Sequence, residues 1–598
     1  MPLTEADQRR VEEAEAEAQA PGSSKLLVRS PPDSQKLGSI TVMCLILNRT
    51  IGSGIFVTPA LVLKATNSVG VSLFLWSLGA LFGLCGLLVW LELGLSIPKF
   101  QPPDQSPESY GAAAEDEIAL ENVPRSGGEK NYLEYIYKDP RFRTTCMYGL
   151  VFVVLGNLAG NSVALGQYVM RAAGDPDNTH AIRGLAIAAL TGACLIHGLW
   201  RKGGIVLNNV LALIKVLILM AVIVIGFAVA AGASFGNGPV GKAAVKANFD
   251  IHKSFQDPNG DVGSYARSIV YIVYSYSGFK QPFYVLSEVS QPKKRFAKAT
   301  IGTMLLCAVL FILANVAYLC AVPKDRVLEY TDLDMANLFF QDIFGNELAP
   351  RVMSGIIALS LFGNIVVMTF TAARVKQEIA KEGILPFSLF FARSTTTPYA
   401  LLKQKLSSSM ETVLEESPAT ALFLHWVFAV ILVAATSSTS PFVAYTVLVL
   451  LYAYTLVIML GFFVATGVLY LRFAKGREWT DSLGFRPWGG PTAAIIYSCT
   501  CAFLIVGVFI TPSPTSPFSF QSTGIQPYIV PAVGLSTLVI GYCYYLVFAK
   551  VIPRLRKKVL IVEREPIIVR QGGSQNGEWV QILEVVEFWW AERQTKET

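Results

Sequence analysis

The residues whose types and spacing could bind a ligand lie in two short runs of serine and glycine set inside apolar sequence. The first is "NRTIGSGIFVTPA", with Thr50, Ile51, Gly52, Ser53, Gly54 and Ile55 at its middle. The second is "YIVYSYSGFKQPFYVL", with Tyr274, Ser275, Ser277, Gly278, Phe279 and Pro282. Glycine inside a helix costs about 1 kcal/mol against alanine, and bare backbone in hydrocarbon costs several more per unpaired group. Such interruptions imply a purpose. An unwound turn frees backbone N–H groups at the start of one half-helix and carbonyls at the end of the other, which sets a carboxylate site beside an ammonium site. Free α-amino acids carry both charges. Three basic residues, Arg49, Lys215 and Lys280, also lie within apolar runs, where ionisable groups are rare and functional.

The elements that must position these residues follow from composition. Of 598 residues 53% are hydrophobic and only 15% charged, where a soluble chain has about a quarter, so this is an integral membrane protein of the all-α class. Runs of about 20 apolar residues predict twelve transmembrane helices, at 38–63, 68–96, 144–169, 183–199, 204–231, 264–286, 299–322, 350–376, 418–436, 441–472, 489–511 and 526–549. Spans one and six, the two interrupted ones, are five apart. That spacing points to a 5+5 inverted repeat with discontinuous helices 1 and 6 and a site between the halves. Lys and Arg favour the side of both tails, about 36 against about 10, which predicts cytosolic termini. The divisions are a cytosolic tail over 1–37, a ten-helix transport core over 38–472, helices eleven and twelve over 473–549, and a cytosolic tail over 550–598. The N-terminal sequence has no secretory signal, so the first span is expected to direct insertion.

The cytoplasmic loop 97–143 opens with a Pro-rich acidic stretch over 100–124 that is expected to be disordered. Ser126 and Glu129 have capping-box spacing ahead of a short interfacial helix. In the C-terminal tail "REPIIVRQGGSQNGEWVQILEVVEFWW" alternates enough for a small hairpin. The nine cysteines sit in or beside apolar runs without disulfide or metal spacing and read as small core residues.

At the interrupted spans the sequence resembles the amino acid-polyamine-organocation superfamily, and within it the L-type amino acid transporters. "IGSGIFVTP" is similar to the signature loop of span one. "LELGLSIP", "PRSGGEKNYLEYIY", "YSGF" with "EVSQPKKRF", and "ARVKQEIAKEGILP" follow in order. "GGEKNYLEYI" resembles the fungal high-affinity methionine permeases. The resemblance implies a LeuT-like fold of ten core helices plus two and neutral amino acids as substrates. Two features depart from the family: an insertion of about 20 residues between "IP" and "PRSGGE", and Lys280, where many relatives have an uncharged residue.

On this reading the N–H groups of Ser53, Gly54 and Ile55 hold the substrate carboxylate, and the carbonyls of Thr50 and Ile51, with Tyr274, Ser275 and Ser277, accept from its ammonium. Gly52 and Gly54 are small so that the ligand reaches the backbone. The resemblance makes Tyr274 an aromatic gate and Phe279 a bulky pocket residue. It also matches Lys215 to a fifth-span lysine that stands in for a sodium ion, with Ser360 as its expected hydroxyl partner and Asn364 as the weaker alternative. A buried lysine can exchange a proton, so proton coupling is expected; a fixed structural cation is the alternative. Arg49 is expected to line the inner vestibule or pair with an acid, Lys280 to do likewise near Glu288, and Glu92 to hold a structural ion pair. His197 and His425 read as packing residues.

No span carries an Asp, and the His, Cys and acidic residues lack metal or acid–base spacing, which argues against a membrane-embedded enzyme. No pore loop or polar ring suggests a channel. The expected protein is a permease for neutral L-amino acids, methionine first, that is proton-coupled, needs no cofactor and sits in a fungal plasma membrane. An amino acid exchanger or a non-transporting sensor on the same fold is the alternative.

Overall fold

Apolar helices dominate the chain because, away from water, only the helix satisfies every backbone group locally. The computed structural model describes residues 5–20, 24–100, 121–235, 240–330, 334–346, 348–406, 415–474, 479–480, 483–570 and 578–592. Among them, nine helices are long and apolar enough to cross a membrane, and Ala419–Ala435 and Pro491–Gly507 are shorter apolar helices. Most of the Pro-rich loop expected at 100–124 lies outside the described residues.

Seven helices build the central region: α1 (Ser39–Thr50), α2 (Ser53–Thr66), α3 (Ala159–Ala173), α4 (Arg201–Ala231), α5 (Val262–Tyr276), α6 (Leu348–Ala380) and α7 (Pro441–Tyr452). The first expected span is broken as its glycines suggest, since α1 stops at Thr50 and α2 restarts at Ser53. In the sixth, α5 gives way at Ser277 to a 3-10 stretch, Ser277–Glu288, in which Val285 leaves helical geometry (φ −125°, ψ 26°). A third interruption was not foreseen. The expected span 144–169 splits into Arg143–Leu155 and α3 around Gly156–Leu158, and "LGNLAGN" is the signal that carried it. The sides of α4 show how the sequence orients it. Leu213, Leu217 and Val224 are more than half exposed, a stripe suited to lipid, while Asn208, Ala212, Lys215 and Leu219 on the other side are buried.

The tails meet. Strand β1 (Leu26–Arg29) pairs antiparallel with β3 (Trp579–Glu592), which pairs in turn with β2 (Lys558–Arg570), so the hairpin expected in the C-terminal tail forms and the N-terminal tail adds a strand to it. The sheet is held to the helices by charge. Glu584 of β3, fully buried, takes Arg564 Nε at 2.9 Å and Lys381 Nζ at 2.9 Å and also pairs with Arg125. Arg564 continues to Glu378 at 2.7 Å and to Glu382, which Lys130 also reaches.

The expected capping box does not form. The helix Glu129–Ile136 is capped at Gly128 without a side-chain bond. Ser126 Oγ lies 2.6 Å from Ser287 Oγ, and Glu129 is drawn to Lys280, because a buried carboxylate gains more from a cation than from an N–H that water or a turn can satisfy.

Replacing Glu584 by alanine leaves Arg564, Lys381 and Arg125 without their shared anion. The variant is expected to raise hydrogen exchange of the β3 amides by about 100-fold, or ~3 kcal/mol. Burial pushes the Glu382 carboxyl up, but Lys130 and Arg564 beside it hold it well below its ordinary 4.5. Because the folded value is the lower one, its contribution to docking is complete above pH 4.5 and is lost as the pH falls below that value; the same exchange measurement along an acid series checks the direction.

Candidate functional site

The two breaks press on each other. A Cβ added to Gly54 would collide with the Cα, Cβ and Oγ of Ser275, and one added to Gly278 would meet Thr50 Oγ1, Thr50 N and Ile46 O. Each glycine therefore admits the other break to backbone contact. In this state the space beside Gly52 and Gly54 is filled by Asn364 and Ser275, so here their smallness serves helix packing.

The released backbone groups have specific partners. Ile51 N–H still donates to Leu47 O at 2.9 Å, which closes α1. Beyond it the N–H groups of Ser53, Gly54 and Ile55 form the first turn of α2, where no intrahelical acceptor exists. On the carbonyl side, Lys215 Nζ of α4 donates to Asn48 O at 2.6 Å and to Asn364 Oδ1 of α6 at 2.7 Å. Ser360 Oγ donates to Ile51 O at 3.2 Å. The expected pairing of Lys215 with Ser360 is thus corrected: Asn364 is the side-chain partner, and Ser360, one helical turn earlier on α6, serves the broken turn directly. A carbonyl oxygen outranks a hydroxyl for an ammonium because its lone pairs carry no competing proton.

Tyr274, Ser275 and Ser277 are all buried at the end of α5. Tyr274 donates its hydroxyl to Asn161 Oδ1 on α3 at 2.7 Å. Ser275 Oγ donates to Tyr271 O and Ser277 Oγ to Tyr274 O, which leaves their oxygens free to accept. Phe279 packs edge-to-face on Trp90, with centroids 5.6 Å apart.

Two buried cations stand where the sequence did not put them. Lys280 does not approach Glu288: its Nζ lies 3.1 Å from Glu129 Oε1, donates to Leu456 O at 3.0 Å and sits 4.6 Å above the Trp90 ring. Glu288 instead holds Arg201 and Arg374, both at 2.5 Å, because two guanidiniums from α4 and α6 converge on it. Arg49, expected near an acid or the inner vestibule, is 1% exposed, with its guanidinium carbon 4.8 Å from the Tyr274 ring and 5.5 Å from the Tyr452 ring of α7. Glu92 binds Arg472 through both oxygens, at 2.9 and 2.8 Å. His197 and His425 gain partners, Val366 O and Lys376 Nζ. Asn161, Tyr452 and Lys376 were missed, since nothing in a lone polar residue inside an apolar run says which helix it faces.

Several buried polar atoms around the breaks make no hydrogen bond of good geometry among the described residues, namely Arg49 Nε and Nη2, Thr50 Oγ1, Ser53 Oγ and Asn161 Nδ2, although Thr50 lies against Cys307, Ser53 against the Tyr445 hydroxyl and Arg49 against those of Tyr274 and Tyr452. Polar side chains are thus gathered where the two breaks meet. On the tail side, a cavity of about 390 Å³ is lined by Glu288, Arg374, Gln377 and Lys381 and walled by Val28 and Gln581 of the sheet.

Two helices broken side by side within an apolar bundle, with polar atoms gathered at the breaks, are the architecture of a membrane permease for small solutes. The chain belongs to the amino acid permease family, whose model matches residues 37–101 and 111–538. It is 28% identical over 529 residues to the high-affinity methionine permease of Saccharomyces cerevisiae, covering 87% of this chain and 80% of that protein. It is 26% identical over 379 residues to the low-affinity methionine permease of the same yeast, covering 63% of each. The human large neutral amino acids transporter small subunit 2 is 25% identical over 358 residues, 59% of each chain. These relatives are permeases and transporters.

Gly54→Val and Gly278→Val each force a branched side chain into the opposite break. Each is expected to cost ~1–3 kcal/mol, seen as a lower melting midpoint of the detergent-solubilised protein. Gly302→Ala, where an added Cβ meets nothing within 4 Å inside a helix, is the control that does not lower the midpoint and can raise it, since alanine is the better helix former.

Proposed function

We propose that the protein is a secondary active permease that imports neutral L-amino acids, with methionine the leading substrate, by alternating access driven by protons. In this reading twelve helices form a LeuT-like 5+5 inverted repeat in a fungal plasma membrane, with both termini cytosolic. The carboxylate lies on the N–H groups of Ser53, Gly54 and Ile55; the ammonium faces the carbonyls of Thr50 and Ile51 with Tyr274, Ser275 and Ser277; Phe279 bounds the pocket. The observation that carries the reading is the pair of broken helices in backbone contact, with buried polar side chains gathered where the breaks meet. The printed functions of the yeast relatives make methionine the first candidate.

Lys215 carries the coupling in this scheme. Its ammonium ties α4 to the last turn of α1 and to α6, so loss of its proton would weaken two contacts across moving parts at once. A second reading, exchange or facilitated diffusion with Lys215 as a fixed cation, is favoured by its two short bonds to neutral oxygens, which suit a permanent ammonium.

Uptake of labelled L-methionine by cells lacking their own methionine permeases, at pH 5 and pH 7 and with a protonophore, tests both. Stimulation by acid, abolition by the protonophore and a fall of about tenfold or more in Lys215→Ala are the expected results. Accumulation unchanged in Lys215→Ala would end the coupling role, and indifference to pH would favour the exchanger. Methionine binding without uptake would identify a sensor.

A further inference from the structure

Of the buried cations around the breaks, Lys280, Arg201, Arg374 and Lys215 face carboxylate or carbonyl oxygens, whereas Arg49 faces only the rings and hydroxyls of two tyrosines. Lys280 is matched by Glu129, Arg201 and Arg374 share Glu288, and Lys215 holds two oxygens. Arg49 has no carboxylate partner among the described residues, and its Nε and Nη2 lack hydrogen-bond partners. The rings and hydroxyls of Tyr274 and Tyr452, the rings 6.1 Å apart and perpendicular, are its main contacts. Cation–π attraction compensates only part of the cost of burying a guanidinium. Arg49 is also next in sequence to Thr50, beside Asn161 with its unpaired Nδ2 on the same Tyr274 hydroxyl. Three helices, α1, α5 and α7, thus hold a positive charge that has tyrosines but no carboxylate beside it, with two of its donors unused, at the edge of the broken turn.

We infer that Arg49 is the charge-selectivity residue of this site, complemented by the bound substrate and not by a protein acid. The site then accepts amino acids whose side chains are neutral and offer an acceptor atom to the guanidinium, and it rejects those with cationic side chains. Lys280, the other cation close to the second break, has its charge offset by Glu129 at 3.1 Å. The inference rests on the reading that the breaks bind an amino acid. Tyr274 and Tyr452 act as positioning residues, since their rings fix the plane of the fork.

The test is displacement of labelled L-methionine from the purified full-length protein by lysine and by glutamine, which have side chains of similar length and different charge. In the wild type lysine is expected to compete about 100-fold more weakly than glutamine, and in Arg49→Gln the gap is expected to shrink below about tenfold. Arg49→Lys keeps the charge and loses the flat fork, so it should keep most of the gap even where methionine binds more weakly. An Arg49→Gln protein with the wild-type ratio would overturn the inference. If that variant binds nothing, Arg49→Lys decides: a retained gap supports the role of charge and a collapsed gap overturns it. Wild-type protein that binds methionine without excluding lysine refutes Arg49 alone, whereas wild-type protein that binds no amino acid refutes the permease reading as well.

Discussion

The rest of the structure depends on one constraint: backbone groups released inside an apolar bundle must find partners there. At the end of α1 the chain gives up its helical bonds over two residues, and the surrounding helices are arranged to replace them. Lys215 comes from α4 to Asn48 O, Ser360 from α6 to Ile51 O, and Asn364 fixes the lysine from its other side. The buried face of α4 and the course of α6 past the break follow from that service. The second break completes it by steric means, since Gly54 against Ser275 and Gly278 against Thr50 bring two irregular turns within touching distance. Both half-helix ends of α1 and α2 then present unpaired groups to one small volume.

Charge is divided between two places in the molecule. Around the breaks it is sparse and offset by neutral oxygens, aromatic faces and a single carboxylate on Lys280. On the tail side it is dense: Glu378, Glu382 and Glu584 interleave with Arg125, Lys130, Lys381 and Arg564, nearly all of them buried. Removing a member of such a network leaves a stranded charge, which is why it holds one arrangement firmly. The sheet made by the two tails is thereby fastened across the cavity lined by Glu288 and Arg374, and any widening of that cavity must disturb the same ion pairs.

The positions of the breaks were legible because glycine and serine inside hydrocarbon have a steric and hydrogen-bonding signature that needs no neighbour to interpret. The C-terminal hairpin was legible from alternation, although the strand that joins it from the N-terminal tail was not, since Leu26–Arg29 is too short to show a period. Pairings between helices were the weak part. Lys280 and Glu288 are close in sequence and face different partners, while Asn364 took the lysine assigned to Ser360, one turn away on the same face of α6. Sequence spacing shows which residues share a helical face but not the height at which a neighbouring helix crosses it. Arg49 was misread for a related reason, because aromatic faces as the partners of a cation leave no complementary charge to look for.

The pairing of β1 with β3 sets a condition on biosynthesis. Ser24 donates to Glu587 Oε1 across 563 positions of sequence, so the first strand is made long before its partner exists. At about 5–20 residues per second the ribosome leaves β1 unpaired for roughly 30–110 s, while the membrane helices are already being inserted. Glu378 and Lys381 wait less long for Arg564 and Glu584, which follow them by 186 and 203 positions. A chain that has not yet reached β3 lacks the partners of these groups, so the sheet reports that β3 has been made.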